Sequence, residues 1–108
     1  MRQVREYSKL VRDRIPEIIL LSGKTPEVRE LTPDEFQAAV DAKLSEELKE
    51  YQESGDVAEL ADLLETLYAA ANARGCSCEE LEQIRVRKAE ERGAFEKRLF
   101  LIAVHEKE

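Results

Sequence analysis

Apolar positions return every three to four residues over three long stretches of the chain, and each stretch is bracketed by signals that start and stop a helix. Thr32, Asp56 and Ser77 are followed three residues later by Glu35, Glu59 and Glu80, the spacing of a capping box. Pro33 suits the first helical position, and Gly55, Gly75 and Gly93 stand where left-handed residues close helices. The pattern predicts helices over 33–54, 57–74 and 78–92. Pro16 opens a shorter one, "PEIILLS", that ends at Gly23, and "YSKLVRDRI" before it reads as extended or irregular. The tail "FEKRLFLIAV" is rich in β-formers but isolated, and is open between a short strand, a docking segment and a last helical turn.

The predicted class is therefore all-α, a bundle built on a helical hairpin, and composition strengthens it. Charged residues make up 38% of 108 residues and aromatics 6%, without Trp, which suits helices laced with surface ion pairs better than a sandwich. The length predicts one domain, 1–108, with a core small enough that oligomerisation is expected to complete it. A net charge of -7 argues against nucleic acid or an anionic membrane as partner and makes a bound cation welcome. No apolar run approaches a membrane span and the amino end lacks a signal-peptide pattern, so the expected location is cytoplasmic. Cys76 and Cys78 are too close for an unstrained disulfide and read as free thiols near a helix start.

Within these helices the acidic residues are oddly placed. In the first long helix Phe36, Ala39, Val40, Leu44, Leu48 and Tyr51 form one broad face, with Glu47 near its middle and Glu50 at its edge. A carboxylate there requires a cation or a wet cleft. Lys43 falls on the flank beside Glu46 and Glu50, and Lys49 points to the opposite side. In the second, no Lys or Arg occurs from Gly55 through Ala73, yet Asp56, Glu59, Asp62 and Glu65 repeat every three residues, a spacing at which like charges repel. Its large residues Val57, Leu60, Leu64, Leu67, Tyr68 and Ala71 make one face. Glu59 and Asp62 share another with Thr66, Ala69, Ala70 and Ala73, a surface that permits close approach by a helix or a ligand. Folding the hairpin at Gly55 brings Glu47, Glu50, Glu59 and Asp62 to matching heights. Oxygen-only ligands suit a hard ion, Mg²⁺ or Mn²⁺. A di-iron site fits worse, since it wants two Glu-x-x-His pairs and the sole histidine is His105 in the tail, and no EF-hand loop is present.

Three blocks, "KLVRDRIPEII" (9–19), "EELKE…ELAD" (46–62) and "KAEERGAFEKRLF" (88–100), give the chain from about Tyr7 to Leu101 a resemblance to the all-α nucleoside triphosphate pyrophosphohydrolases of the MazG and phosphoribosyl-ATP pyrophosphohydrolase kind, particularly the short single-domain members. It departs from many relatives in the short connection of eight residues between Glu50 and Glu59.

The resemblance implies hydrolysis of a nucleoside triphosphate to the monophosphate and pyrophosphate, with Mg²⁺ held by Glu47, Glu50, Glu59 and Asp62. The charge of the triphosphate and the need for an activated water agree with that chemistry. Glu46, beside the ligands, is the candidate to orient or deprotonate the water. Lys9 and Arg12 in the first block and Lys88 and Arg92 in the last are the candidate phosphate-binding cations, with Lys97 and Arg98 as further donors, and Phe95 is expected to pack under the tail, with stacking on a base as the alternative. Asp13 is placed either to orient Arg12 or to cap the Pro16 helix. Relatives assemble as homodimers or homotetramers, which the small and apolar second helix supports independently. The alternatives are a phosphoribosyl-ATP pyrophosphohydrolase and a non-enzymatic helical module whose acidic hairpin binds an ion or a basic partner.

Overall fold

A computed structural model describes residues 3–107 and contains four helices: α1 (Ile15–Leu21), α2 (Pro33–Ser54), α3 (Val57–Ala73) and α4 (Cys78–Arg92). The three long helices begin and end within one residue of the positions read from capping residues and glycines. The fold is all-helical, and none of the helices is long and apolar enough to cross a membrane.

The start of α2 is fastened three ways. The Glu35 N–H donates to Thr32 Oγ1 at 3.2 Å, the Thr32 N–H donates back to Glu35 Oε1 at 3.0 Å, and Arg29 forks both Glu35 oxygens at 3.1 and 2.9 Å. Hydrogen bonding by Arg29, then by the Thr32 backbone, holds the Glu35 carboxyl well down, at about 2. Its contribution is therefore present above the ordinary carboxylate range and fades as pH falls towards 2. Thr32→Ala removes the hydroxyl acceptor and is expected to cost about 1 kcal/mol, measurable as a lower urea midpoint.

α2 stops where Gly55 turns left-handed at φ +67°, with its N–H on the Tyr51 carbonyl at 2.7 Å. The immediate start of α3 returns the chain antiparallel, so that Arg74 at the far end of α3 reaches Asp41 on α2 at 3.5 Å. α3 ends in a Schellman arrangement in which the Cys76 N–H reaches the Ala71 carbonyl at 2.9 Å, and the Ser77–Glu80 capping box then starts α4. α4 packs on α3 and not on α2, and α1 packs on no other helix. Asp13 does not cap α1, whose N-cap is Arg14 with no side-chain hydrogen bond.

Val40 is the one fully buried large side chain among the described residues. The radius of gyration is 19.3 Å, against about 13 Å for a compact chain of this length. The accessible surface is 10394 Å², against about 6,100 Å² for a folded monomer of this mass.

The tail corrects one option left open by the sequence. After a turn in which the Arg98 N–H meets the Phe95 carbonyl at 3.2 Å, residues 99–107 form no strand or helix, and no strand occurs among the described residues. A strand requires an edge to pair with, and four helices offer none. Phe95 is 95% exposed, so it does not pack under the tail within one chain.

Candidate metal centre

The face of α3 that packs on α2 is the small one. Thr66 is buried, and Leu63, Ala69, Ala70 and Ala73 are half-buried beside it. The Thr66 hydroxyl is satisfied by the Asp62 carbonyl at 2.9 Å, and the missing side-chain bulk lets the helices come close. This close approach carries Glu59 and Asp62 inward against the acidic stripe of α2.

Glu47 is the deepest of these carboxylates, 6% exposed. Its Oε1 lies 3.2 Å from the Lys43 ammonium, while its Oε2 is buried without a partner. One carboxylate oxygen from each of Glu47, Glu50 and Glu59 lies within 4.8 Å of the others. An ion that sits 2.0–2.6 Å from each ligand spans about this separation.

Glu59 is available because its anticipated capping role is not taken. Asp56 Oδ1 accepts from the Ala58 N–H at 3.0 Å, and the Asp56 N–H is satisfied by Ser54 Oγ at 3.1 Å. The half-formed cap leaves the Glu59 carboxylate free. Partial burial first, and then the charges of Glu50, Asp62, Glu47 and Asp56, raise its pKa. Glu59 itself makes no ion pair among the described residues.

Asp62, the fourth expected ligand, is not part of the three-residue cluster. Its Oδ1 accepts from Arg12 Nη2 at 2.8 Å. Glu46 is also engaged, by Lys9 Nζ at 3.2 Å and Lys43 Nζ at 3.4 Å. Burial opposes ionisation of Glu46, but these two lysines outweigh it and hold the pKa below the usual carboxylate range. The segment from Lys9 to Arg12 therefore crosses the hairpin, tied to α2 at one end and to α3 at the other. Lys88 and Arg92 on α4 are exposed and make no ion pair with the cluster among the described residues.

Lys43 is the participant that the pattern placed only on the flank. Its i,i+4 relation to Glu47 was the available signal, and both Glu47 and Glu46 raise its pKa against the opposing effect of burial.

No protein-family model matches the chain, and no solved structure matches it. An uncharacterized protein of Mycolicibacterium smegmatis (strain ATCC 700084 / mc(2)155) is 60% identical over 43 residues, 40% of this chain and 44% of that protein. The chain thus spans less than half the length of the relative it matches.

Proposed function

We propose that the hairpin is the catalytic centre of a Mg²⁺-dependent nucleoside triphosphate pyrophosphohydrolase of the MazG-like kind, with Mn²⁺ an effective substitute. The observation that carries the reading is the buried Glu47 oxygen without a partner, in a residue that shares a cluster with two further carboxylates. Burying a charged oxygen unpaired is costly, and a hard cation between Glu47, Glu50 and Glu59 removes that cost. When bound, the cation supplies charge neutralisation for the triphosphate and for the transition state.

The remaining groups act around it. Lys9 and Arg12 have Glu46 and Asp62 as partners in the free chain, and phosphate oxygens are stronger attractions for both. A triphosphate therefore draws the two cations away together, which frees Asp62 to complete the ligand set and Glu46 to hold a water. The water oxygen bonds to phosphorus, the P–O bond to pyrophosphate breaks, and Glu46 accepts the proton. Lys88 and Arg92 reach a phosphate chain only in an assembly of copies, a homodimer or homotetramer.

The test is pyrophosphate release from a panel of nucleoside triphosphates and phosphoribosyl-ATP, with Mg²⁺ or with excess chelator. Turnover of one or more triphosphates that stops with chelator is expected. Turnover confined to phosphoribosyl-ATP would move the activity to a biosynthetic step, and no turnover of any substrate would leave an ion-binding helical module instead.

A further inference from the structure

Lys43 puts one ammonium between two carboxylates of α2, with Glu47 Oε1 at 3.2 Å and Glu46 Oε2 at 3.4 Å. The helical repeat makes this possible, because Glu46 and Glu47 follow Lys43 by three and four residues and so lie one turn on. The Lys43 and Glu47 side chains are 17% and 8% exposed, so separating them strands a charge on each side in a place that water barely reaches.

The consequence falls on the acidic cluster. Glu50 and Glu59 make no ion pair among the described residues and can turn either or both oxygens to an ion. Glu47 cannot, because Lys43 holds its Oε1 and the oxygen left without a partner is Oε2.

Resting on the reading of this cluster as a metal centre, we propose that Lys43 is its specificity-determining residue: by holding Glu47 Oε1 it limits Glu47 to one ligand oxygen, and so favours a small six-coordinate ion over Ca²⁺. Ca²⁺ takes about six to eight oxygens and readily accepts both from one carboxylate, whereas Mg²⁺ demands a tight octahedron and completes it with water. The deepest ligand of the three therefore offers what the smaller ion needs and withholds what the larger one takes. Lys43 is also held from its other side, since Glu46 keeps the ammonium in place while the free oxygen of Glu47 meets an ion. Lys9 differs in this respect, because it reaches Glu46 at 3.2 Å and pairs with no oxygen of the cluster.

Thermal melts of the intact chain titrated with Mn²⁺, Mg²⁺ or Ca²⁺ give the dissociation constant of each ion. The wild-type chain is expected to bind Mn²⁺ at least about 10-fold more tightly than Ca²⁺, and Lys43→Met to lower that ratio about 10-fold, because both Glu47 oxygens come free. Loss of a nearby positive charge strengthens every divalent ion alike, so the ratio isolates the oxygen. Lys9→Met removes a charge from the same neighbourhood and is expected to leave the ratio unchanged. Lys43→Arg keeps donors for Oε1 and is expected to retain the wild-type preference. If Lys43→Met folds only with an ion present, recovery of helix by circular dichroism during Ca²⁺ and Mn²⁺ titrations supplies the same ratio. A wild-type chain that binds Ca²⁺ as tightly as Mn²⁺ overturns the proposal, as does a ratio that Lys43→Met leaves unmoved or that Lys9→Met lowers equally. A shifted ratio in a chain that releases no pyrophosphate sinks the catalytic reading and leaves this one standing. An unshifted ratio in an active chain does the reverse, and no stabilisation by any ion removes both.

Discussion

Glu47→Gln is expected to abolish stabilisation of the chain by Mn²⁺ or Mg²⁺ and to lower pyrophosphate release by at least about 100-fold. The amide keeps the shape of the side chain in its buried position between the helices but carries one oxygen where the carboxylate has two, and no charge. For the wild-type chain, a cation at a hundred times its dissociation constant adds about 2.7 kcal/mol, which for a domain of this size is a rise in unfolding temperature on the order of 10 °C. The variant should show almost none of that rise while its midpoint in chelator stays near that of wild type. Lys43 still has Glu46 at 3.4 Å, so the substitution does not strand a buried ammonium. Parallel thermal melts in chelator and in Mn²⁺ decide the matter. A variant that gains as much from Mn²⁺ as wild type would place the ion elsewhere, and full activity would remove Glu47 from the chemistry.

The boundaries of the hairpin were legible because local chemistry alone sets them. Thr32, Gly55, Asp56, Ser77 and Gly93 mark ends whose hydrogen bonds are made within a few residues, and tertiary packing does not need to be known to place them. The position of Glu47 on the inner face followed from helical geometry in the same way. What local chemistry did not settle were the competitions. Asp56 and Glu59 have the spacing of a capping box, but Ser54, behind Asp56, supplies the acceptor that Glu59 would have been. Lys43 was read as a flanking charge because a helical wheel assigns a side chain one direction, whereas a four-carbon stem reaches both Glu46 and Glu47. The wheel also left open which face of α3 meets α2, and the answer depends on how closely two helices approach. Alanines and a threonine allow that approach, which turns the leucines outward. Ion pairs from Lys9 and Arg12 to Glu46 and Asp62 span 37 and 50 residues, and no spacing rule anticipates them.

Glu59→Gln is expected to make the chain more stable than wild type when no cation is present and less stable when cation is saturating. Two effects oppose at this position. A carboxylate in the first turn of α3 is favoured by the helix dipole, whereas partial burial and the charges of Glu50, Asp62, Glu47 and Asp56 disfavour it. Burial and the four neighbouring charges, which raise the pKa, are expected to outweigh the dipole. Because the folded-state value lies above the unfolded one, the carboxyl binds its proton more tightly in the fold, and stability is lost as pH rises from the ordinary carboxylate range through the raised value. In chelator, wild type should therefore show a decline across that range that Glu59→Gln lacks, and at neutral pH the variant should melt higher. Saturating Mn²⁺ reverses the order, since the ion neutralises the repulsion in wild type and finds one ligand fewer in the variant. Melting curves at several pH values, with and without Mn²⁺, test both halves. A variant less stable than wild type in chelator at neutral pH would mean that the dipole outweighs the neighbouring charges. The cluster would then have no repulsion for an ion to relieve.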